Sequence, residues 1–490
     1  MARKRFNFRY FCFSALVVAC AVLPCILGIS LTVSIILGAV ALICGIAILF
    51  FKLSFRTKAT VLSLLLLFAI LCPVNVYRLV DAPYLPEGDD MAIRFYVHGV
   101  SVDKAEISGK FVDLNTGMEY NGAIFTNNYL AFGHEFSAGS IVDMTANVHH
   151  IVLITDGKIS QQYLNGYRYS LNNVNVYSIQ HDGFPMDFSA TIRAFMLERV
   201  NELFEGDARG VAAALLFGDK SMISSAVKDD MSASGLSHVL AISGLHFTVI
   251  AGIIAYLLSK TKAHIGLKTA ISVIIMLLYA WICNFSPSVT RAFIMMAVAS
   301  LGKLVCRKYD ILSSICFAAT ISLVISPEEL FSLSFLMSYT AVLGIVFAYA
   351  PLKRALHKLP KKVGDFVAVS LAANIGILPV VCNAFGKTSV LFLVSNALVL
   401  PLMTIAYVLL LTSLVPSLIG VGIGAVCNLL IGYVLKIGEV VSSLPFSQID
   451  LPALGIVFTA AYYLILIYSS EYIFKKKVPS TPEKYLENTN

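Results

Sequence analysis

Two histidines and two serines lie within an apolar stretch of the chain, GLSHVLAISGLHF at residues 235–247. The side chains of His238, Ser243 and His246 can donate, accept or transfer protons, or replace the hydration shell of a polar solute. An ionisable group near the centre of a bilayer costs about 2.5–3.5 kcal/mol on insertion scales, so these residues predict either a function or a compensating contact. At about 100° per residue, Ser243 and His246 share one helical face, opposite Gly244. That face is predicted to meet a polar partner or water; the alternative is a histidine hydrogen-bonded to neighbouring backbone.

A cation follows further along the chain. Ser286, Pro287 and Ser288 predict the N-cap and first two positions of a helix. Arg291 then lies in the first turn, where a cation is unfavourable beside the positive end of the helix dipole unless an anion is near. We interpret Arg291 either as a side chain that reaches lipid phosphates or as part of a path for anions.

Further polar residues accumulate in the later apolar segments. Ser326 and Glu329 predict a capping box that opens a helix with a hydroxylated face, which includes Ser334. The motif N-x-x-x-L-P begins at Asn374 and again at Asn396. Asn and Pro together predict broken helices, which are tolerated where protein or a water-filled cavity surrounds them. Core packing explains any one of these residues, and their accumulation favours a passage.

The composition identifies the elements that position these residues. The chain has 490 residues, of which 58% are hydrophobic and 13% charged, and its mean hydropathy is +0.81. This excludes a single soluble domain and predicts a polytopic α-helical membrane protein. About twelve runs are long enough to span a bilayer, at residues 11–29, 31–51, 59–77, 238–259, 268–285, 288–305, 311–326, 331–350, 364–382, 389–414, 418–442 and 452–474.

Basic residues predict the orientation of these spans. Lys and Arg collect at residues 3–9, 52–58, 260–268, 303–308, 353–362 and 475–477. Because cytoplasmic loops hold most basic residues, both termini are predicted to be cytoplasmic. The basic N-terminus has no evident small-residue cleavage site, so we interpret it as retained.

The chain is predicted to have five parts. They are an N-terminal membrane region of about three helices (1–80), an extracytoplasmic β domain (81–187), interfacial amphipathic helices (188–235), a membrane domain of about nine helices (236–474) and a cytoplasmic tail (475–490). Residues 81–187 alternate apolar and polar side chains between turn residues, which predicts a small β-barrel or sandwich. This β domain has thirteen acidic and five basic residues, a net charge of −8. Residues 188–235 repeat apolar side chains at helical spacing and are predicted to lie flat on the outer surface.

Recognisable catalytic and metal-binding motifs are absent from the sequence. FGKTS at residues 385–389 lacks the first glycine of a Walker A motif. His149 and His150 have no third ligand at metal spacing, and the ten cysteines lie in or at the ends of apolar runs. We therefore expect no enzymatic activity, no cofactor and no metal.

Five ordered sequence blocks resemble the motifs of the ComEC family of competence proteins. They are GDK at residues 218–220, GLSHVLAISGLHF at 235–247, SPSVTRAF at 286–293, FSLSFLMSYTAVLG at 331–344 and SLAANIGILPVVCNAFGKTSVLFLVSNALVLPL at 370–402. The resemblance implies an inner-membrane channel that admits one DNA strand to the cytoplasm in natural transformation. It assigns motif or channel-lining positions to His238, Ser243, Gly244, His246, Ser288, Arg291, Ser334, Phe335 and Asn374.

The resemblance also implies partners. These are single-stranded DNA, DNA-receptor and pilus proteins, a cytoplasmic helicase or ATPase, and a second copy of the chain in a homodimer. Many family members continue into a metallo-β-lactamase-like domain, and the sequence contains no HxHxDH motif for it. Degradation of the other strand is therefore expected from a separate nuclease.

The family architecture also implies that the exterior β domain is OB-like. Grooves that hold single strands in such domains are usually basic and lined with aromatic residues. This domain has aromatic residues but is acidic, so a partner-docking or lid role is favoured over a grip on DNA.

Two other functions fit the same residues. Broken helices and mid-membrane asparagines would also serve a secondary transporter of a small solute. An intramembrane enzyme that uses His246 is the third alternative.

Overall fold

The computed structural model describes most of the chain. The described residues are 8–22, 24, 30–48, 55–79, 88–100, 106–126, 140–151, 154–155, 158–164, 167–180, 188–218, 220, 222–240, 242, 244–283, 285–304, 311–445 and 447–469. Ser243 and the predicted tail at 475–490 lie outside them. Contacts divide the chain into two compact units, one of Met1–Phe335 with Val394–Ser447 and the other of Leu336–Leu393 with Gln448–Asn490.

Helices make up most of the described structure. They are α1 Phe8–Cys20, α2 Leu31–Ile48, α3 Phe55–Leu79, α4 Gln161–Leu164, α5 Phe188–Leu203, α6 Gly206–Phe217, α7 Ser225–Ala233, α8 Gly244–Ser259, α9 Ile265–Ile282, α10 Pro287–Leu304, α11 Ile311–Ile325, α12 Leu333–Ala355, α13 Lys361–Phe385, α14 Phe392–Ser413, α15 Leu418–Ser442 and α16 Ile456–Ser469, with a 3-10 helix at Pro327–Phe331. The strands are β1 Gly88–Val100, β2 Glu106–Asp113, β3 Glu119–Thr126, β4 Ile141–His150, β5 Ile154–Thr155, β6 Lys158–Ile159, β7 Tyr169–Gln180, β8 Lys387–Ser389 and β9 Gln448–Asp450.

Six helices among the described residues are long and apolar enough to cross a membrane. They lie at Thr60–Tyr77, Ile265–Ile282, Leu333–Ala355, Lys361–Phe385, Phe392–Ser413 and Leu418–Ser442. Five shorter apolar helices lie at Leu31–Cys44, Gly244–Ser259, Ser288–Gly302, Ile311–Ile325 and Val457–Ser469. The prediction of a polytopic helical membrane protein is confirmed at this level, and the number of about twelve spans stays a prediction.

Five strands of the first unit close into a barrel with the order β1-β2-β3-β7-β4. All neighbours are antiparallel except β3 and β7, which are parallel. Burial alternates along β4 because successive side chains of a strand point to opposite faces. Arg94 and Asp143 are opposite each other on β1 and β4 and form an ion pair with Nε–Oδ1 2.7 Å. The alternation in the sequence thus corresponds to a closed sheet with an apolar interior.

Several aromatic residues of the barrel region are buried. Tyr120 and Tyr169 pack with Phe111 in the barrel core, with ring centroids 5.0–5.8 Å apart. Tyr163 is buried with residues of the first helices and the 3-10 helix. These three tyrosines are therefore not exposed for stacking with bases, and Tyr129 lies outside the described residues.

Helix α6 differs from the predicted amphipathic surface helix. Nine of its twelve residues are buried, and they pack with apolar residues of α14 and α15. The helix ends at Gly218, whose φ of 80° is a left-handed conformation that favours glycine. The apolar residues of GVAAALLF surround the helix on all sides, so burial removes more apolar surface from water than an interfacial position would.

In the second unit, α12 and α13 cross at two glycines. A Cβ placed on Gly376 would lie 2.8 Å from the Cα of Gly344, and one on Gly344 would lie 2.6 Å from the Cα of Gly376. Any side chain here would separate the helices. The crossing therefore depends on both glycines, as in other helix pairs with small residues at their contact.

The predicted helix breaks at the two N-x-x-x-L-P motifs are wrong. Helices α13 and α14 continue through Pro379 and Pro401. Proline removes the bond to the carbonyl four residues earlier, which for Pro379 is that of Ile375. The hydroxyl of Tyr462 on α16 donates to this oxygen at 2.8 Å, and that of Tyr463 donates to the Gly376 oxygen at 2.9 Å. The carbonyl freed by Pro379 is thus satisfied without unwinding α13.

Candidate functional site

The first turn of α10 places Arg291 inside the protein. The helix begins at Pro287, as the sequence predicts, and the Thr290 N–H donates to the Ser286 oxygen at 2.9 Å. Arg291 is only 3% exposed. A guanidinium that reached lipid phosphates would lie at the surface, so this position favours the interpretation of Arg291 as part of an internal site.

Arg291 joins the starts of two helices. Its Nη2 donates to the Ser334 backbone oxygen at 2.9 Å and to Ser288 Oγ at 3.3 Å. The hydroxyl oxygens of Ser288 and Ser334 are themselves 3.3 Å apart, and the guanidinium carbon is 6.0 Å from the ring centre of Phe335. Four of the predicted site residues, each from one of two separate sequence blocks, thus form one cluster, which we call the Arg291 cluster.

The Arg291 cluster lies where helices begin. Ser288 is the second residue of α10 and Ser334 the second of α12. Gly244, the first residue of α8, also faces α10, since a Cβ on it would lie 3.8 Å from the Cβ of Ala292. Helix N-termini carry partial positive charge and free N–H groups. Together with the guanidinium they make a local environment that favours an anion.

The carboxyl group of Glu329, which the sequence predicts to be part of a helix cap, interacts electrostatically with Arg291. The predicted capping box is wrong: Ser326 makes no side-chain cap bond, and residues 327–331 form a separate 3-10 helix before α12. Burial raises the pKa of Glu329 to about 7, the positive charge of Arg291 opposes this rise, and the charge of Glu328 adds to it. Glu329 is thus a second ionisable group within electrostatic reach of Arg291.

His246 lies in a different contact. It is 3% exposed, and its ring centre is 4.6 Å from that of Tyr407 on α14. The Tyr407 hydroxyl is 2.7 Å from the hydroxyl of Tyr279 on α9. His246, Tyr279 and Tyr407 therefore connect three helices in the interior. The sequence analysis missed the tyrosines because nothing in their spacing indicates a contact 128 residues apart.

Three predicted residues remain: His238, Asn374 and Ser243. His238 lies in a turn before α8, which begins at Gly244, and its predicted motif or channel-lining role stays a prediction. Asn374 belongs to the second unit, where its Nδ2 donates to the Ser370 oxygen at 3.4 Å. Ser243 lies outside the described residues.

The Arg291 cluster consists of groups that can bind a ligand through charge and hydrogen bonds. A guanidinium offers several N–H donors in a fixed plane, and the two hydroxyls can donate or accept hydrogen bonds. Among the described residues, no group of three or more His, Cys, Asp or Glu is arranged to hold a metal ion. The fold and this cluster define a polytopic helical membrane protein with a buried cationic site among its apolar helices.

Sequence comparison places this membrane protein in a family. A family model described as "Competence protein" matches residues 215–476, more than half of the chain. The chain therefore belongs to the competence protein family. The matched region contains both the Arg291 cluster and the contact between His246 and Tyr407.

Similar proteins occur in distant bacteria. ComE operon protein 3 of Bacillus subtilis (strain 168) is 26% identical over 235 residues, which cover 47% of this chain and 30% of that protein. An uncharacterized protein of Aquifex aeolicus (strain VF5) is 28% identical over 195 residues, 39% of this chain and 45% of that protein. The uncharacterized protein YcaI of Escherichia coli (strain K12) is 26% identical over 224 residues, 43% of this chain and 29% of that protein. The matches thus span less than half the length of each relative, and no solved structure matches the chain.

Proposed function

We propose that the protein forms a membrane channel through which one DNA strand enters the cytoplasm in natural transformation. The observation that carries the proposal is the buried Arg291, held with two serine hydroxyls at the starts of α10 and α12 within the family-matched region. The similarity to ComE operon protein 3 also supports a function in competence. Membership of the competence family does not favour the alternative of a small-solute transporter.

A DNA strand makes specific demands on such a path. Its phosphates cannot enter hydrocarbon without replacement partners for water. Conduction also requires that each binding step be weak enough to be reversed. The Nη2 group of Arg291 already has intramolecular acceptors, so a phosphate has to compete with the Ser334 oxygen for it. A guanidinium held in this way can replace water around a phosphate and still release it.

We further propose that the barrel is an OB-like domain on the outer side of the inner membrane, with both termini in the cytoplasm. A five-stranded barrel in the order β1-β2-β3-β7-β4 with one parallel pair supports an OB-like topology. The acidic charge and buried tyrosines support a docking or lid role over a grip on DNA. In this proposal the partners are single-stranded DNA, DNA-receptor and pilus proteins, a cytoplasmic helicase or ATPase, and a second copy of the chain. A separate nuclease cleaves the other strand.

Replacement of Arg291 tests the function. We expect R291A to lower transformation by about ten- to a hundredfold, since a hydrogen bond to a charged group contributes about 1.5–3 kcal/mol. Duplex DNA bound at the cell surface should not change, because the site lies past that step. R291K should keep part of the activity, since it keeps the charge and loses the planar set of donors. Two quantities are measured in the same cells: the transformation frequency and the amount of labelled duplex DNA bound at the cell surface.

The matched control is R354A, which removes an exposed arginine near the end of α12. It should transform as the parent does. Normal transformation by R291A at normal protein abundance would contradict the proposed function of the site.

A further inference from the structure

Two consecutive glutamates of the 3-10 helix have different surroundings. Glu328 Oε1 accepts from Arg168 Nη2 of the barrel region at 3.1 Å. Glu329 Oε2 is buried and has no hydrogen-bond partner among the described residues. The first carboxylate thus has an ion-pair partner, and Oε2 of the second has no hydrogen-bond partner among the described residues.

The unpaired carboxylate is in the turn that leads directly into the Arg291 cluster. The 3-10 helix ends at Phe331, and α12 begins two residues later with the segment whose Ser334 oxygen binds Arg291. Arg291 is the opposite charge that acts most strongly on Glu329, and Glu328 is the like charge. Like a phosphate, a carboxylate near a guanidinium supplies negative charge and oxygen atoms that accept hydrogen bonds.

The other elements around Glu329 add little charge. Helix α11 contacts the 3-10 helix and contains no charged residue. Helix α4 contributes Tyr163, on whose ring the Arg168 guanidinium lies at 3.8 Å. In the part of the chain that the structure describes, the charges that act on Glu329 are Arg291 from α10 and Glu328 from its own turn, and Glu328 is paired with Arg168.

We propose, building on the function above, that Glu329 is a built-in counter-anion of Arg291 which a phosphate group replaces, and that Glu329 takes up a proton when this happens. With both groups ionised, the pair is neutral, and an arriving phosphate adds a charge that repels the carboxylate. A proton on Glu329 removes this repulsion. When the phosphate leaves, the proton leaves as well, so charge is balanced at each step.

Linkage makes the two events reciprocal. The factor by which a proton on Glu329 raises the affinity for phosphate equals the factor by which bound phosphate raises the affinity for the proton. Since burial raises the pKa of Glu329 to about 7, both forms are populated near neutral pH. Glu329 thereby sets how tightly Arg291 holds each phosphate as the strand moves past.

The test measures anion affinity against pH with the full chain in lipid nanodiscs. The probes are a fluorescent single-stranded thymidine oligonucleotide and sulfate, whose charges are constant between pH 5.5 and 8.5. For the parent protein we expect Kd for both probes to fall by about tenfold as pH falls through about 7, within the usual range of coupling between sites. E329Q should bind with the tight, low-pH value at every pH. E328Q should keep the response, with its midpoint moved to slightly lower pH because a like charge has been removed.

The outcomes separate this inference from the proposed function. A pH response that E329Q leaves intact overturns the role of Glu329, even if R291A abolishes oligonucleotide binding and so supports the function. A response to sulfate that E329Q removes, without any oligonucleotide binding, supports the counter-anion and argues against DNA as the solute. The inference is also overturned if the affinities for both probes do not depend on pH, or if neither probe binds. Melting temperature and size-exclusion profile show that E329Q is folded.

Discussion

At the residue scale, the three rings of His246, Tyr279 and Tyr407 show how polar groups are kept inside apolar helices. The two tyrosine hydroxyls are each other's partners at 2.7 Å, and Tyr407 is fully buried. The His246 ring packs on the Tyr407 ring at 4.6 Å. The His246 imidazole of α8 therefore packs on a tyrosine ring of α14, and the hydroxyl of that tyrosine has its hydrogen-bond partner on α9.

Removal of either hydroxyl should destabilise the protein. Y279F leaves the buried Tyr407 hydroxyl without its partner, at a cost of about 1–3 kcal/mol. Y407F leaves the Tyr279 hydroxyl with only its bond to Cys283 and should cost less. The double variant leaves none, so it should cost less than the sum of the two. Unfolding in detergent measures the free energies, or the apparent melting temperatures where unfolding is irreversible. Y433F removes an exposed hydroxyl of α15 and should have no effect; additive costs in the double variant would contradict the coupling.

The sequence predicted individual residues of the site better than their contacts. Ser288, Arg291 and Ser334 could be selected because a polar group in an apolar run needs a physical reason. The bond from Arg291 to Ser334 depends on a main-chain oxygen 43 residues away, to which no residue type points. The role of Glu329 was missed because its spacing from Ser326 matched a common cap, and only the fold shows that the turn is a 3-10 helix.

At the element scale, α13 combines two features that usually weaken a helix. Gly376 lets α12 approach, and Pro379 removes an amide donor. Helix α16 compensates with two adjacent tyrosines, whose hydroxyls bind the oxygens of residues 375 and 376. A helix that bends freely at the proline would lose these bonds, so the tyrosines fix α13 in one shape.

A double-mutant cycle tests the role of these tyrosines. Y462F leaves the Ile375 oxygen without a donor and should cost about 1 kcal/mol. In a P379A background the restored amide can bond to the same oxygen, so Y462F should cost clearly less. The cycle is measured by thermal unfolding of all four proteins. Y468F on the same helix removes an exposed ring hydroxyl and serves as control. Equal costs of Y462F in both backgrounds would show that Tyr462 does not compensate for the proline.

Element types were predictable where one period dominated the sequence. Strict alternation in residues 141–148 gave a strand whose burial alternates in the same way. Helix α6 was not predictable as a buried element, because its apolar run is too short for a span and charged residues flank it. Helices α13 and α14 continue through Pro379 and Pro401. At Pro379 the compensating donors are tyrosine hydroxyls of α16, which no local pattern in α13 predicts.

At the scale of the whole molecule, a small contact region connects the barrel of the first unit to helical residues of the same unit. Arg168 is the centre of this region. Its Nη1 donates to the Tyr163 oxygen at 2.8 Å and to the Tyr167 oxygen at 3.2 Å, its guanidinium lies on the Tyr163 ring, and its Nη2 binds Glu328. Ile151 and Tyr163 pack near Leu330 and Phe331 of the 3-10 helix. The turn that holds Glu329 beside Arg291 is therefore the same turn on which the barrel rests.

This arrangement predicts an asymmetry between the two partners of the ion pair. E328Q removes one partly exposed ion pair, for which about 0–1 kcal/mol is typical. R168A also removes two hydrogen bonds to backbone and the contact with the Tyr163 ring, so it should loosen the region more. The charge reversal R168E with E328R restores an ion pair without these additional bonds and should recover the contact only in part.

Hydrogen exchange of peptides over residues 158–170 and 325–333 measures the loosening in the full chain, with D143N in the barrel wall as the control that leaves this region unchanged. If E328Q and R168A raise exchange equally, the ion pair is the main contribution and the bonds of Arg168 to backbone add nothing to the docking of the barrel.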